Sequence, residues 1–153
     1  MIRELIVSDD VSPKVLEEYL RDSRQSIREV ARKVGVSSGT VASRLKEMEE
    51  AGIIRRYSAI LDYEKLGYEL TAITEITISN GKIIEVGEAI AKLSQATGVY
   101  NVTGDSDLMV VGKFRTRKEL SDFTKKTLTI PHVLRTKTHL VLNILKEDFS
   151  VIP

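Results

Sequence analysis

The chain contains no cysteine, and that absence removes disulfide scaffolding, thiolate zinc sites and cysteine nucleophiles together. Histidine is nearly as scarce: His132 and His139 are the only two, too few for a multi-histidine metal site. No phosphate-binding glycine loop and no serine–histidine–aspartate arrangement is visible, so an enzyme is not expected. Long apolar runs are missing as well. No window approaches the ~18 apolar residues of a membrane span, and the stretch Met1 to Asp10 is too short in apolar residues, and too acidic after them, for a signal peptide. An excess of one charge is also lacking: 23 Lys+Arg against 22 Asp+Glu leave a formal net charge of +1. That balance excludes a globally basic nucleic-acid protein but leaves room for a locally basic face. The expectation is a soluble cytoplasmic protein whose 153 residues make one or two small domains.

What is present falls into two halves with different periods. From Ser12 to Gly52 the apolar spacing is helical. Ser12-Pro13 offers an N-cap with proline at the first helical position, followed by the stripe Val15, Leu16, Tyr19, Leu20. Ser26-Ile27-Arg28-Glu29 reads as a capping box opening a short helix with Ile27, Val30, Ala31 and Val34 inward. Gly35 supplies the positive φ of a tight exit. Ser37 caps a third helix, with Val41, Leu45 and Met48 inward and Gly52 as its stop. Beyond Gly52, Ile53 to Leu61 reads as a strand and Asp62 to Gly67 as a turn-like boundary. Tyr68 to Ile78 alternates as a strand, Ile83 to Leu93 is helical, and Val99 to Thr103 and Leu108 to Phe114 are strands around a polar turn. Thr116 to Glu119 is a second capping box, and a long strand runs from Val133 to Leu145. The fold class is α+β: a helix-turn-helix over residues 1–52, a wing or linker strand and hinge over 53–67, and a ferredoxin-like βαββαβ unit over 68–153. Both faces of that sheet read as apolar, at Leu108 to Val111 and in Val133, Val141 and Leu145 against Leu134, Leu140 and Leu142, which points to self-association.

Charge is unevenly spread. Arg24, Arg28, Arg32, Lys33, Arg44 and Lys46 against the single acid Glu29 give the segment a net +5, and Arg55-Arg56 follow the third helix. The outward residues Ser38, Gly39, Thr40, Ser43, Arg44 and Glu47 are mostly small and hydrogen-bonding, which lets a helix backbone approach base edges. Arg44 suits bidentate contact with guanine. The helix, tight turn and second helix match a helix-turn-helix. The expected DNA contacts are therefore Ser26, Arg28, Arg32, Ser37, Ser38, Thr40, Ser43, Arg44, Lys46, Arg55 and Arg56.

Together the runs Asp22 to Ala31, Val34-Gly35-Val36-Ser37, Thr40-Val41, Arg44-Leu45, Gly52-Ile53-Ile54 and Leu66-Gly67 resemble the leucine-responsive regulatory protein/AsnC family, the feast/famine regulators. The resemblance spans about residues 12–147 and implies a winged helix-turn-helix joined to a ferredoxin-like regulatory domain. It further implies a homodimer paired through the sheets, often an octamer built as a tetramer of dimers, and an amino-acid effector. No cofactor or metal is expected. Double-stranded DNA is the macromolecular partner, with no membrane association, and the function implied is transcriptional regulation. A ligand-independent architectural DNA-binding protein is the alternative.

The turn Gly104-Asp105-Ser106-Asp107 is the second motif. Gly104 can expose its amide to a carboxylate, and Asp105 and Asp107 offer acceptors to an ammonium, although a plain polar turn has the same composition. The resemblance assigns the loop to an effector pocket between dimers, naming Gly104, Asp105 and Asp107 with Tyr100, Val102 and Thr103. It adds Thr136, Thr138 or His139 from the last strand of a neighbouring subunit. Ser106 replaces the bulky residue often found there.

Overall fold

The computed structural model describes residues 10–150; the leading residues read above for a signal peptide lie outside it up to residue 9, as do 151–153. The chain divides into two compact units, one of residues 10–60 with 147–150 and one of residues 61–146.

The first unit holds three helices: α1 (Val11–Arg21), α2 (Ile27–Val34) and α3 (Ser38–Glu50). Val15, Tyr19, Val30, Ala31, Val41, Leu45 and Met48 bury together as its core. Ser12 does not cap α1. The helix starts two residues earlier than expected, at Val11 with Asp10 in the cap position, Ser12 is buried inside it, and Pro13 sits in the first turn, where a missing N–H breaks no helical bond. The capping box of α2 forms as expected: Glu29 N donates to Ser26 Oγ at 3.3 Å and Ser26 N to Glu29 Oε2 at 2.8 Å. Gly35 then takes φ +80°, a left-handed conformation that lets the chain pass from α2 to α3 through three residues. Thr40 N donates to Ser37 Oγ at 3.0 Å, which caps α3. At its other end the Gly52 and Ile53 amides turn back onto Glu49 and Met48 carbonyls. The segment Ile53 to Leu61 is not a strand. After a turn at 51–54 the chain runs on without a ladder partner, because nothing among the described residues returns alongside it. Strand-type residues such as Tyr57, Ile60 and Leu61 do not supply the neighbour whose backbone must pair with them.

The second unit is a four-stranded sheet with two helices. Its elements are β1 (Leu70–Ile78), α4 (Ile83–Ala91), β2 (Ala96–Asn101), β3 (Leu108–Phe114), α5 (Arg117–Leu128) and β4 (Val133–Leu140). The strand order is β2-β3-β1-β4, all neighbours antiparallel, as a ferredoxin-like βαββαβ chain requires. Val86 and Ile90 of α4 and Phe123 of α5 pack with Ala72, Ile76, Leu108, Val110 and Phe114, so both helices cover one face. Tyr63 and Tyr68 meet edge to face at 5.5 Å and carry Lys113 and Arg115 over their rings, which fastens the 61–68 turn to β3.

Three sequence expectations shift here. The second capping box is half formed: Glu119 N donates to Thr116 Oγ1 at 3.1 Å, but the Glu119 carboxylate takes the Arg115 amide instead of the Thr116 amide. β2 begins earlier than expected, at Ala96, with a register shift between Ala96 and Gly98. β4 ends at Leu140 instead of Leu145, because its partner β1 begins only at Leu70; the Val141 amide makes a last bond to Thr71, and Leu142 and Leu145 then stand off the sheet, exposed. The face away from the helices is accordingly less apolar than expected. Met109, Val111 and Ile73 lie on it, but the register sets Glu75 opposite Lys137 and Ile73 opposite His139.

Candidate DNA interface and effector site

The helix-turn-helix presents its polar residues in two ways. The hydroxyls of Ser26 and Ser37 are engaged at the helix ends, and Thr40 Oγ1 lies 2.8 Å from Ser37 Oγ. Ser38, Gly39, Ser43 and Lys46 are exposed along α3, with Ala42 at the centre of that strip. Sequence reading passed over Ala42, although its place three residues after Gly39 puts it on the same helical face. Arg44 is half-buried and held by Glu47 at 2.8 Å, and the same carboxylate accepts Ser43 Oγ at 2.9 Å. Lys33, though exposed, is engaged within the unit: it reaches back to Glu18 at 2.7 Å and holds that carboxyl below its ordinary range. Arg24 pairs with Asp22 and Lys46 with Glu50. Among the described residues Arg28, Arg32, Arg55 and Arg56 are exposed and make no ion pair, so four guanidinium groups remain available to an external anion. Arg28 and Arg32 stand one turn apart on α2. Glu29, whose carboxyl is held down chiefly by the Ser26 amide, is an anion at the N-terminus of α2, where the helix dipole favours it. The acids gather at the far end of α3, where Glu49 accepts the Tyr57 hydroxyl at 2.8 Å. Desolvation and then that carboxylate push the Tyr57 phenol up to about 12.

In the sheet unit an open depression of about 730 Å³ lies at the β2–β3 turn, lined by Glu75, Asn101, Val102, Thr103, Asp105, Ser106 and Met109. Val102, Thr103 and Asp105 were expected there; Glu75, Asn101, Ser106 and Met109 were not. Gly104 has φ +117° with open space where a Cβ would stand. Among the described residues no acceptor is paired with the backbone amides of Thr103, Gly104, Asp105 or Ser106. Successive unpaired amides around a turn make a concavity suited to an anion. Asp107 is turned away from this use. Its Oδ2 accepts the Ile78 amide at 2.7 Å, its own amide donates to Ile76 and its carbonyl accepts Val102, so it locks the turn onto β1. Tyr100 lies back over Gly98, where an added Cβ would meet the ring at 2.7 Å, and it does not line the depression. Thr136 and Thr138 pair with Ile76 and Thr74, on the helix-covered side, with Thr138 Oγ1 3.2 Å from Thr74 Oγ1. His139 faces the other way and reaches Glu75 Oε1 at 2.7 Å. Of the three last-strand candidates, His139 alone shares the face of the depression.

Glu75 is the centre of this face. Its carboxylate takes His139 Nε2, Lys137 Nζ at 3.4 Å and Ser106 Oγ at 2.9 Å. The hydrogen bond from His139, then that from Ser106, pushes its pKa down to about 2. No signal in the sequence isolates Glu75, because the register that brings residue 139 beside it is set by strand pairing across 64 positions. Among the described residues no cluster of His, Asp or Glu could hold a metal ion, and no helix is long and apolar enough to cross a membrane.

A helix-turn-helix with outward guanidinium groups, followed by a ferredoxin-like unit with a polar depression, defines a DNA-binding transcriptional regulator with a ligand-binding domain. The comparisons agree. A family model for winged helix-turn-helix DNA-binding matches residues 8–55, and one for the Lrp/AsnC ligand binding domain matches residues 71–151. An HTH-type transcriptional regulator of Pyrococcus furiosus is 44% identical over 145 residues, covering 95% of this chain and 98% of that one. The HTH-type transcriptional regulator FL11 of the same organism is 31% identical over 141 residues, covering 92% and 93%. Among solved structures, a transcriptional regulator of Neisseria meningitidis in complex with L-Met superposes with a TM-score of 0.86 at 25% identity, covering 94% and 95%. The chain belongs to the Lrp/AsnC family of transcriptional regulators.

Proposed function

We propose that the protein binds specific DNA through residues 1–52, with 53–67 as wing and hinge, and that a free amino acid held by residues 68–153 modulates its assembly or its DNA affinity. In this reading Arg44 and the small residues of α3 read base edges, while Arg28, Arg32, Lys46, Arg55 and Arg56 neutralise phosphates. The protein works in the cytoplasm as a homodimer that further associates into an octamer. The effector reading is carried by the unpaired amides of Thr103 to Ser106, which border the same depression as the Glu75 and Asp105 carboxylates. Donors for a carboxylate and acceptors for an ammonium within one small site match a zwitterion. The L-Met bound to the Neisseria regulator supports the same ligand class.

Two measurements test this. Affinity for a selected operator against random DNA should differ by orders of magnitude for a specific regulator; a ratio near one favours the architectural alternative. Arg44→Ala should cost about 1–3 kcal/mol on the operator and relax preference at one base pair, whereas Arg55→Ala and Arg56→Ala should weaken all DNA alike and reduce the salt dependence. For the effector, a thermal-shift screen of the twenty amino acids should show a raised melting temperature, since a ligand that binds only the native state must stabilise it.

A further inference from the structure

The depression holds one charged group that lies outside the turn motif. We propose that Glu75 receives the ammonium of the effector, with Ser106 and His139 as positioning residues for its carboxylate, so that the site selects molecules bearing a free α-amino group. This rests on the amino-acid reading above and assigns the cation-binding role to a residue of β1.

The turn alone supplies little to hold a cation. Asp107 has its carboxylate on the Ile78 amide, so of the two turn acids only Asp105 remains exposed to a ligand. Glu75 lines the depression and has capacity left. Its Oε1 accepts His139 and Lys137, but its Oε2 accepts Ser106 alone, and a carboxylate offers about four acceptor positions in all. One acceptor position on Oε2 is therefore open. Ser106 belongs to both halves of the site. Its hydroxyl donates to Glu75 while its backbone amide is one of the four without an acceptor. The anion-receptive amides and the cation-receptive carboxylate are thus one side chain apart, the scale of the ammonium and carboxylate on a single α-carbon. The bonds from His139 and Ser106 keep Glu75 ionised at any ordinary pH. Lys137 is well exposed and approaches Oε1 only at 3.4 Å, so it can swing clear of an incoming cation. The small side chain at 106 leaves Glu75 reachable from solvent, and Met109 and Val102 offer an apolar wall to an effector side chain.

The full-length protein is screened against the twenty amino acids, and the tightest binder is then titrated beside its own 2-hydroxy acid, which keeps the carboxylate and side chain but lacks the ammonium. Wild type should prefer the amino acid by about tenfold or more. Glu75→Gln should lose about tenfold or more in affinity for the amino acid and little for the hydroxy acid, so that the preference collapses toward one. Glu75→Asp, which keeps the charge, should bind more weakly than wild type yet retain a preference for the amine. Undiminished discrimination in Glu75→Gln overturns this inference and leaves the amino-acid reading standing, as does equal loss of discrimination in the Asp and Gln variants. If none of the twenty shifts the wild-type melting temperature, the amino-acid reading falls and this inference with it.

Discussion

The two units use their polar side chains over different distances. In the helical unit the pairs are local: Ser26 with Glu29, Ser37 with Thr40 and Arg44 with Glu47 are each three residues apart. In the sheet unit the helix caps are equally local, but the polar contacts at the depression and across the sheet are distant: Ser106 meets Glu75 across 31 positions, and His139 and Thr138 meet Glu75 and Thr74 across 64. The consequence is a division of charge. Local caps stiffen the helices while Arg28, Arg32, Arg55 and Arg56 keep no partner among the described residues, which suits an extended polyanion. The sheet unit instead pairs Glu75 with Lys137 and His139 of its own face, and its site suits a small molecule that carries both signs.

The contrast implies that the sheet unit is most vulnerable where distant elements converge. Phe114 is fully buried, packed edge-on against Phe123 at 5.2 Å and folded over Gly112, so Phe114→Ala should cost about 3–5 kcal/mol in denaturant unfolding. A loss no larger than that of a single cap would break the comparison. The local devices should come next. Ser26→Ala removes the α2 cap and should cost about 1 kcal/mol, read as a lower denaturation midpoint with an unchanged slope. A smaller effect of opposite sign is expected at Thr127, whose buried hydroxyl lacks a hydrogen-bond partner. Thr127→Val removes that unsatisfied group at nearly constant volume and should stabilise the protein by up to about 1 kcal/mol. Destabilisation there would mean that the hydroxyl has a partner in solution.

The smallest effect should be one of pH. The Tyr57 phenol, lifted to about 12 in the folded state, titrates above its ordinary value near 10. A raised folded-state pKa adds stability that is fully present below pH 10 and disappears as pH climbs toward 12. Tyr57→Phe should flatten that decline in melting curves recorded across this range. Superimposable wild-type and variant curves would show that the Tyr57–Glu49 hydrogen bond does not persist.

How much of this was legible in the sequence follows the same distances. The Ser26 box, the Gly35 exit and the Ser37 cap are readable because each is decided within four residues, and the alternation of β1 revealed which of its side chains share a face. Strand limits were less legible. Where β4 ends depends on where β1 starts, and Ile53 to Leu61 has strand-type residues such as Tyr57, Ile60 and Leu61 without a neighbour among the described residues to pair with. In the candidate site, the turn and its glycine announced themselves by composition. The engagement of Asp107 by Ile78 and the meeting of Glu75 with His139 did not, since both depend on a register that only the assembled sheet defines.

The order of the strands has one more consequence, for behaviour in concentrated solution. Among the described residues β2 and β4 are outermost and nothing pairs with their outer sides, and an open margin is a template on which another chain can extend a cross-β stack. Both margins carry an obstacle to such growth. β4 displays Arg135 and Lys137, so two such margins brought together repel, and β2 is thrown out of regular register between Ala96 and Gly98, which spoils the flat ladder a fibril needs. The same cation that flanks Glu75, Lys137, therefore also guards the protein against edge-to-edge aggregation.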